Sequence, residues 1–421
     1  MTRIKPMKIK YLKAVLGLIL LTLGLLLIPG AEPGGAGMNL AEAQEGTPKG
    51  SPGVQAQQGA VGEPPEVAAQ SWALVDAKSD RYLAGEDPDK QLPTGSVAKI
   101  MAALVVLEKG VDLDEEVTIS KEAESYVGNV YSNVGLISGE RVTVRDLLAA
   151  SLIPSGTDAV YALAEHVGGG SVENFVSMMN EQASSMGLEN TNFETPAGLD
   201  TSENYSSSRD LAAITYEALQ YPVIAELVDT KDTEIRTQNR EIQISNTNQL
   251  LSTYAPTTGV KTGTTPQAGA NLIASAEAND ESFISVVLGA ESSEERFLDS
   301  EALLEYAFGH YQSRPLVSEG EVDEELALPY RRGEYVELAA AEDVTGVVDN
   351  TSDVERRVTT DELPPSAVAD QELGEIEVLV DGQSVGSSPL VARDGYEEAS
   401  WWDRIRYAAG SLLIWVRGLL S

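Results

Sequence analysis

The chain has 421 residues, 42% of them hydrophobic, which is enough for a substantial core and for two folded units with extensions. It has no cysteine and only two histidines, His166 and His310, so disulfides, thiolate catalysis and cysteine-ligated zinc are excluded, and we expect neither a metal nor a cofactor. The formal net charge of −37 argues against a nucleic-acid partner, whose phosphates would be repelled, and favours solubility.

The first 43 residues are predicted to be a secretory signal or an N-terminal anchor. Lysines and Arg3 precede an uncharged apolar run at 14–28, and Ala41-Glu42-Ala43 offers a small-x-small cleavage site. Because the run is shorter than the roughly 20 residues that span a bilayer, we favour cleavage, with retention as an anchor as the alternative. Export is therefore expected. Residues 44–67, rich in Gly, Pro, Gln and Ala, predict a flexible linker.

The middle of the chain predicts a helical region between strands. Residues 71–76 and 81–84 predict paired strands around a polar turn, and apolar residues at helical spacing predict a helix that begins near Ser96 and ends before Gly110. Because further strands come late in the chain, we expect a sheet that is completed late. The later predicted helices are 146–151, 158–167, 172–187 and 300–308, and the later strands are 258–262, 271–276 and 282–288.

The C-terminal part predicts a second, β-rich domain over 314–395, followed by a helix within 396–421. Short β-like runs such as 335–338 and 375–380 are separated by acidic and glycine-containing turns. In the terminal segment, apolar residues recur at spacings of three and four opposite a polar side, which indicates an amphipathic helix. Its tryptophans and flanking arginines favour a membrane surface over a full span, and docking on the protein's own core is the alternative. The apolar positions are Trp402, Ile405, Ala409, Leu412, Leu413, Val416 and Leu419.

Three short motifs follow one another in the middle region. They are Ser96-Val97-Ala98-Lys99, then Ser155-Gly156-Thr157, then Lys261-Thr262-Gly263. A serine hydroxyl is a poor nucleophile until a neighbouring base takes its proton, and on a helix the side chain at i+3 can reach the one at i. Neither histidine lies near such a signature, so a Ser-His-Asp triad is the weaker interpretation.

The combination of motifs carries the argument, since any one of them is weak. S-x-x-K, S-D-N and K-T-G together are typical of class A β-lactamases and penicillin-binding proteins. The chain resembles the D-alanyl-D-alanine carboxypeptidases, the low-molecular-mass penicillin-binding proteins, over nearly its whole length. The matching stretches are 92–101, 155–159, 196–200, 208–212, 246–248 and 259–265.

The resemblance implies an α/β (α+β) catalytic domain of the penicillin-recognising serine transpeptidase and β-lactamase-like class over 68–313. A small all-β domain and a terminal amphipathic helix would follow it. The implied activity is removal of the terminal D-alanine from peptidoglycan stem pentapeptides, with covalent binding of β-lactams. Such a protein would act at the extracytoplasmic face of the membrane or in the cell wall.

Carried over residue by residue, the resemblance implies that Ser96 attacks the carbonyl between the last two D-alanines and forms an acyl-enzyme. Lys99 would accept the serine proton, for which it must be neutral part of the time; burial and repulsion from Lys261 would both lower its pKa. Ser155 would relay a proton to the leaving amine, although it could instead simply cap the following helix.

Further residues are implied to hold the substrate. Lys261 and Thr262 would bind the terminal carboxylate, and Arg296 matches a family arginine near it, with a solvated surface arginine as the alternative. The backbone N–H groups of Ser96 and Thr264 would form the oxyanion hole.

The chain departs from the family pattern at Thr157, where the family normally has an asparagine whose amide contacts the substrate. A threonine hydroxyl offers fewer hydrogen bonds, so we expect slower or altered turnover, and Thr157 remains a candidate substrate-binding residue. Thr195 also stands where asparagine is usual. We expect His166 to be structural and Asp200 to hold its loop.

Two other functions stay open at this point. A β-lactamase is one, although no Glu-x-x-Leu-Asn segment supplies the deacylating base of class A enzymes. A catalytically weakened cell-wall binding or scaffold protein is the other. Release of D-alanine from a stem pentapeptide would separate the enzyme from the scaffold.

Overall fold

The computed structural model describes residues 62–128 and 130–420. The predicted signal or anchor at 1–43 and the linker as far as residue 61 lie outside the described residues.

The strands come in two groups, one at each side of a helical middle region, with short strands between. The first ten are β1 Ser71–Asp76, β2 Tyr82–Glu86, β3 Leu92–Pro93, β4 Glu116–Thr118, β5 Arg141–Thr143, β6 Tyr205–Ser206, β7 Asp232–Arg236, β8 Glu241–Ser245, β9 Thr257–Thr265 and β10 Gly269–Ala278. The others are β11 Glu281–Ala290, β12 Gln312–Val317, β13 Val322–Ala327, β14 Tyr335–Ala340, β15 Val344–Val348, β16 Val354–Thr360, β17 Glu372–Val380 and β18 Gln383–Ala392.

The helices lie mainly between β3 and β9. A 3₁₀ turn at Gly95–Ala98 leads directly into the first of them. They are α1 Lys99–Glu108, α2 Lys121–Glu124, α3 Val144–Leu152, α4 Thr157–Val167, α5 Val172–Ser185, α6 Ser208–Leu219, α7 Pro222–Asp229, α8 Leu250–Thr253, α9 Ser293–His310 and α10 Trp401–Leu420.

The central sheet joins strands from the two ends of the segment 71–290. Its antiparallel order is β2-β1-β11-β10-β9, so the first strand pairs with one from late in the chain, as expected. Successive residues of a strand point to opposite faces: Leu272 packs with the cluster around α9, and Ile273 packs with the helical middle region. Both faces of the sheet are therefore covered, which explains why every residue of β1 is buried.

The last helix of this region is longer than the sequence predicts. Ser292 caps α9, its hydroxyl accepting a hydrogen bond from the N–H of Glu295 at 3.1 Å, and two glutamates lie in the first turn. The prediction of a start at residue 300 was wrong because it followed the apolar pattern and missed this cap. Arg296 consequently lies inside α9 and not ahead of it.

The residues after α9 form a separate hydrophobic cluster around a second antiparallel sheet. Its order is β13-β14-β18-β17-β16, and β12 pairs with β15 beside it. Arg81, which is buried, reaches this region from the turn between β1 and β2. Its guanidinium contacts Asp381 at 3.2 Å and donates to the carbonyl of Val347.

The terminal helix α10 presents its apolar side chains to solvent. Trp402 and Leu412 are 55% and 53% exposed, so the alternative in which the helix docks its apolar stripe on the core is wrong. Its polar side contacts the turn after β13, where Arg332 donates to the hydroxyl of Ser411 at 2.7 Å. Across the described residues, none of the helices combines the length and the apolar character that crossing a membrane requires.

We expect Arg81→Met to lower the free energy of unfolding by about 2 kcal/mol, because it removes hydrogen bonds of a buried cation and leaves a carbonyl without its donor. The matched control is Arg357→Met, which removes an exposed ion pair and should cost at most about 0.5 kcal/mol. Urea unfolding followed by tryptophan fluorescence measures both. Equal losses in the two variants would contradict the structural role of Arg81.

Candidate active site

Ser96 lies in the 3₁₀ turn that precedes α1, and Lys99 is the first residue of that helix. The turn begins at Gly95, whose φ of +54° is a backbone conformation that favours glycine. Lys99 Nζ is 2.8 Å from Ser96 Oγ, as the spacing of three residues predicts. The serine is half-buried, whereas the lysine side chain has no exposed surface.

Lys99 also contacts the second motif. Its Nζ donates to the backbone carbonyl of Ser155 at 3.1 Å and lies 3.4 Å from Ser155 Oγ. Burial lowers the pKa of Lys99 to about 7, while the nearby Asp158 carboxylate acts in the opposite direction. Burial is the largest cause, and the expected repulsion between Lys99 and Lys261 acts to lower the pKa of Lys261. The neutral form of the Lys99 amine is therefore accessible near pH 7.

Ser155 has a φ of +68°, which is rare for a residue with a side chain. Hydrogen bonds of the next two residues hold this conformation. The Gly156 N–H donates to the Ala150 carbonyl at 2.8 Å, and the Thr157 N–H donates to the Ser132 carbonyl at 2.7 Å. Ser155 therefore does not cap α4, whose N-cap is Gly156. Its side chain is instead directed towards Lys99.

Thr157 is buried and is the first residue of α4. The next residue, Asp158, is fully buried, and its carboxylate accepts hydrogen bonds from the backbone N–H groups of Val134 and Leu136 at 3.0–3.2 Å. Asp158 thus ties the loop that contains Ser132 to the start of α4.

The third motif lies on β9, the edge strand of the central sheet. Lys261 is 1% exposed, and its pKa is held well below the ordinary lysine value, first by burial and then by the positive charges of Lys99 and Arg296. Thr262 Oγ1 lies 2.6 Å from Thr247 Oγ1. The Thr247 N–H donates to the carbonyl of Ile153, so this loop also contacts the segment that leads to Ser155.

The backbone of the Ser96 turn packs directly on β9. A Cβ added at Gly263 would lie 2.9 Å from the Thr94 carbonyl oxygen and 3.1 Å from the backbone N of Ser96. A Cβ added at Gly95 would lie 3.3 Å from the backbone N of Thr264. The two N–H groups that the sequence predicts as an oxyanion hole are therefore brought together across two glycines.

Arg296 is 7% exposed, which rules out a solvated surface arginine. Its Nη1 donates to Thr264 Oγ1 at 2.8 Å and to the Gly263 carbonyl at 3.1 Å, and burial lowers its pKa to about 10. Lys99, Lys261 and Arg296 form no ion pair with any described residue. The cleft thus concentrates positive charge and suits an anionic ligand.

Sequence reasoning did not assign roles to Thr247 and Asn271, although Thr247 lies in one of the matching stretches. Asn271 is fully buried, and its amide bonds to the turn before Ser96. Asp200 does hold its loop, since its carboxylate accepts hydrogen bonds from Thr265 Oγ1 and from the Gln267 N–H. His166 lies on α4 beside Glu115, 3.6 Å away, and touches none of the three motifs.

The described residues contain no cluster of histidine, aspartate or glutamate side chains suited to a metal ion.

Comparison with protein families finds two matches. Residues 58–292 match the D-alanyl-D-alanine carboxypeptidase family, and residues 311–398 match the C-terminal domain of penicillin-binding protein 5. The first match spans more than half of the chain. The chain belongs to the D-alanyl-D-alanine carboxypeptidase family.

Relatives within this family match along most of their length. The D-alanyl-D-alanine carboxypeptidase DacC of Escherichia coli is 34% identical, with 82% of this chain and 88% of that protein covered. DacF of Bacillus subtilis is 31% identical, with 79% of this chain and 87% of that protein covered.

Solved structures agree with this carboxypeptidase fold. Penicillin-binding protein 5 of Haemophilus influenzae has a TM-score of 0.66 and 31% identity, covering 80% of this chain and 99% of that one. The Streptomyces K15 DD-transpeptidase has a TM-score of 0.56 and 36% identity, covering 58% and 99%. The fold class expected from the sequence is thereby confirmed.

We expect the Lys99 amine of this carboxypeptidase family member to titrate with a midpoint near pH 7, because its charged form is desolvated. Carbon NMR of lysines labelled at Cε measures this, and Lys99→Arg identifies the resonance by removing it. Lys109→Arg is the matched control, because it changes an exposed lysine and should leave that resonance in place. A Lys99 midpoint close to the ordinary lysine value of about 10.4 would contradict the effect of burial.

Proposed function

We propose that the protein is a serine-type D-Ala-D-Ala carboxypeptidase that removes the terminal D-alanine of peptidoglycan stem pentapeptides through an acyl-enzyme on Ser96. The observation that carries this proposal is the 2.8 Å contact between Ser96 Oγ and the amine of the fully buried Lys99. A lysine that is neutral near pH 7 can accept the serine proton, which ordinary exposed lysines cannot do. The named activity of the relatives supports the same reaction.

Acylation begins when neutral Lys99 takes the hydroxyl proton and Ser96 Oγ bonds to the carbonyl carbon between the two D-alanines. The negative charge on the carbonyl oxygen is stabilised by the N–H groups of Ser96 and Thr264. When the C–N bond breaks, the leaving amine needs a proton, and Ser155 Oγ, 3.4 Å from Lys99 Nζ, is placed to relay it. Water then hydrolyses the ester and frees Ser96.

The terminal carboxylate is held on the β9 side of the cleft. Lys261 and Arg296 supply positive charge there, and the hydroxyl of Thr262 supplies a hydrogen bond. Arg296 already donates to Thr264 and Gly263, so part of its contribution is to shape the strand. Thr157 takes the place of the amide-bearing residue usual in the family, and we retain slower or altered turnover as its expected effect.

The same acylation step accounts for covalent binding of β-lactams, since their amide bond presents a carbonyl to Ser96 and their carboxylate meets the same cations. The β-lactamase alternative gains no support from the family match or from these relatives. The scaffold alternative is weakened by the intact contacts among Ser96, Lys99 and Ser155.

We expect the purified protein to release D-alanine from a stem pentapeptide and to be labelled covalently by a fluorescent penicillin. Ser96→Ala should abolish both because the nucleophile is lost, and Lys99→Arg should do so because arginine stays protonated. The matched controls Ser177→Ala and Lys109→Arg change exposed residues and should keep native rates. Labelling without D-alanine release would favour the scaffold, and rapid loss of the penicilloyl label would favour a β-lactamase.

The proposal includes export of the protein and attachment of α10 to the extracytoplasmic face of the cell membrane. The helix carries Arg404, Arg406 and Arg417 against one acid, Asp403, although the whole chain has a net charge of −37. Exposed tryptophans and leucines beside these arginines suit the bilayer interface. The apolar run at 14–28 supports export.

We expect a chain lacking residues 1–43 to float with anionic lipid vesicles, and the double substitution Leu412→Glu and Leu413→Glu to abolish flotation by charging the apolar stripe. Val368→Glu is the matched control, because Val368 is 70% exposed but lies outside the helix. Flotation that survives the double substitution would show that α10 is not the attachment.

A further inference from the structure

Asn271 lies on β10 directly across from Gly263 on β9 and is fully buried. Its amide nitrogen donates to the backbone carbonyls of Pro93 and Thr94, at 3.0 and 2.9 Å. Its amide oxygen accepts from the N–H of Gly289, at 2.8 Å, where the pairing of β10 with β11 shifts register. One side chain thus joins the sheet to the two residues that lead into the Ser96 turn.

These bonds hold the Ser96 turn at the point where its backbone packs closely on β9. The Thr94 carbonyl is one of the atoms that a Cβ at Gly263 would meet at 2.9 Å, so the turn rests on the bare backbone of β9. No side chain of Gly263 or Gly95 is present to set the separation of turn and strand. The amide of Asn271 binds the turn from the neighbouring strand. The side-chain amide of Asn204 also donates a hydrogen bond to the hydroxyl of Thr94 at 2.9 Å.

Arg296 binds the strand on the other side of this contact, β9. Its Nη1 donates to the Gly263 carbonyl at 3.1 Å and lies 3.4 Å from the carbonyl of Asn271. Asn271 therefore bonds to the two carbonyls that precede the Ser96 turn, and Arg296 bonds to the carbonyl of the peptide that carries the Thr264 N–H. Asn271 lies on β10 and Arg296 on α9, and the Arg296 guanidinium contacts the backbone of both β9 and β10.

We propose that Asn271 is a positioning residue that sets the spacing of the Ser96 and Thr264 N–H groups, and thereby the stabilisation of the oxyanion. The inference rests on the proposed function, because it concerns the transition state of that reaction. Stabilisation of an oxyanion depends on donors held in place before charge develops, and displacements of about 1 Å cost up to about 100-fold in rate. Asn271 does not touch the substrate.

The test is Asn271→Asp, which keeps the shape and the acceptor for Gly289 but replaces the donor with an oxygen that faces two carbonyls. Per active site titrated with labelled penicillin, we expect kcat for D-alanine release to fall by about 10- to 100-fold, with KM changed by less than about threefold. Affinity for a peptidyl aminoethylboronic acid, whose boronate mimics the tetrahedral intermediate, should fall by a similar factor.

A pH profile adds a readout that a merely structural residue would not change. A buried carboxyl beside carbonyl oxygens has a raised pKa, and once protonated it can donate one of the lost hydrogen bonds. The rate of Asn271→Asp relative to the native enzyme should therefore recover as the pH falls. If this variant does not fold, Asn271→Ser carries no charge, is too short to reach both carbonyls, and supplies the same kcat and boronate measurements.

The matched control is Asn180→Asp, because Asn180 likewise exchanges two hydrogen bonds, both at 2.8 Å, with the backbone of Phe193. It should lose stability but keep native kcat and boronate affinity per active site. The proposal is overturned if Asn271→Asp and Asn271→Ser behave like this control. Failure of the proposed function looks different, since the native protein itself would then release no D-alanine.

Discussion

The site depends on keeping the Lys99 amine away from water without pairing it with an adjacent carboxylate. An ammonium group loses much of its hydration when it is buried, so its neutral form becomes accessible near pH 7. The same burial would be unfavourable in a loose structure, because water would enter and restore the charged form. The fold therefore surrounds Lys99 with well-packed helices, and within the described part of the chain its amine hydrogen-bonds only with Ser96 and Ser155.

Two further basic side chains in the same cleft are also buried without a paired carboxylate among the described residues. Lys261 and Arg296 are buried, and repulsion from Lys99 and Arg296 adds to the depression of the Lys261 pKa. A site with uncompensated positive charge is poised for a ligand that carries a carboxylate, since binding supplies the missing counter-charge. This is consistent with a substrate that ends in D-alanine. It also separates the chemistry of the cleft from the acidic character of the whole chain.

The antiparallel sheet carries this arrangement because it is covered on both faces. Its edge strand β9 presents Lys261 and Thr262, and the neighbouring strand β10 presents Asn271 to the turn below Ser96. Close approach of turn and strand needs glycine at positions 95 and 263, where a Cβ would meet backbone atoms within 3.3 Å. The positions of the candidate catalytic groups thus depend on backbone packing as well as on their own side chains. The C-terminal sheet contacts this body through Arg81, which bonds to Asp381 and to the carbonyl of Val347.

Much of the local structure could be predicted from the sequence. Apolar runs bounded by turn residues identify β1 and the hairpin of β10 and β11, and the predicted helices at 158–167 and 172–187 correspond to α4 and α5. The pairing of Ser96 with Lys99 also follows from a spacing of three residues. The start of α9 was missed, since a capping serine at residue 292 carries no apolar signal.

What the sequence by itself determined was the set of candidate reactive residues, in three motifs, and their order along the chain. Only the tertiary structure decided the left-handed backbone of Ser155 and the contact of Thr247 with Thr262. These features arise between segments that are distant in sequence, so no local periodicity encodes them. The amide of Asn271 is the clearest case, because its partners lie 177 and 178 residues away and meet it only when the sheet closes.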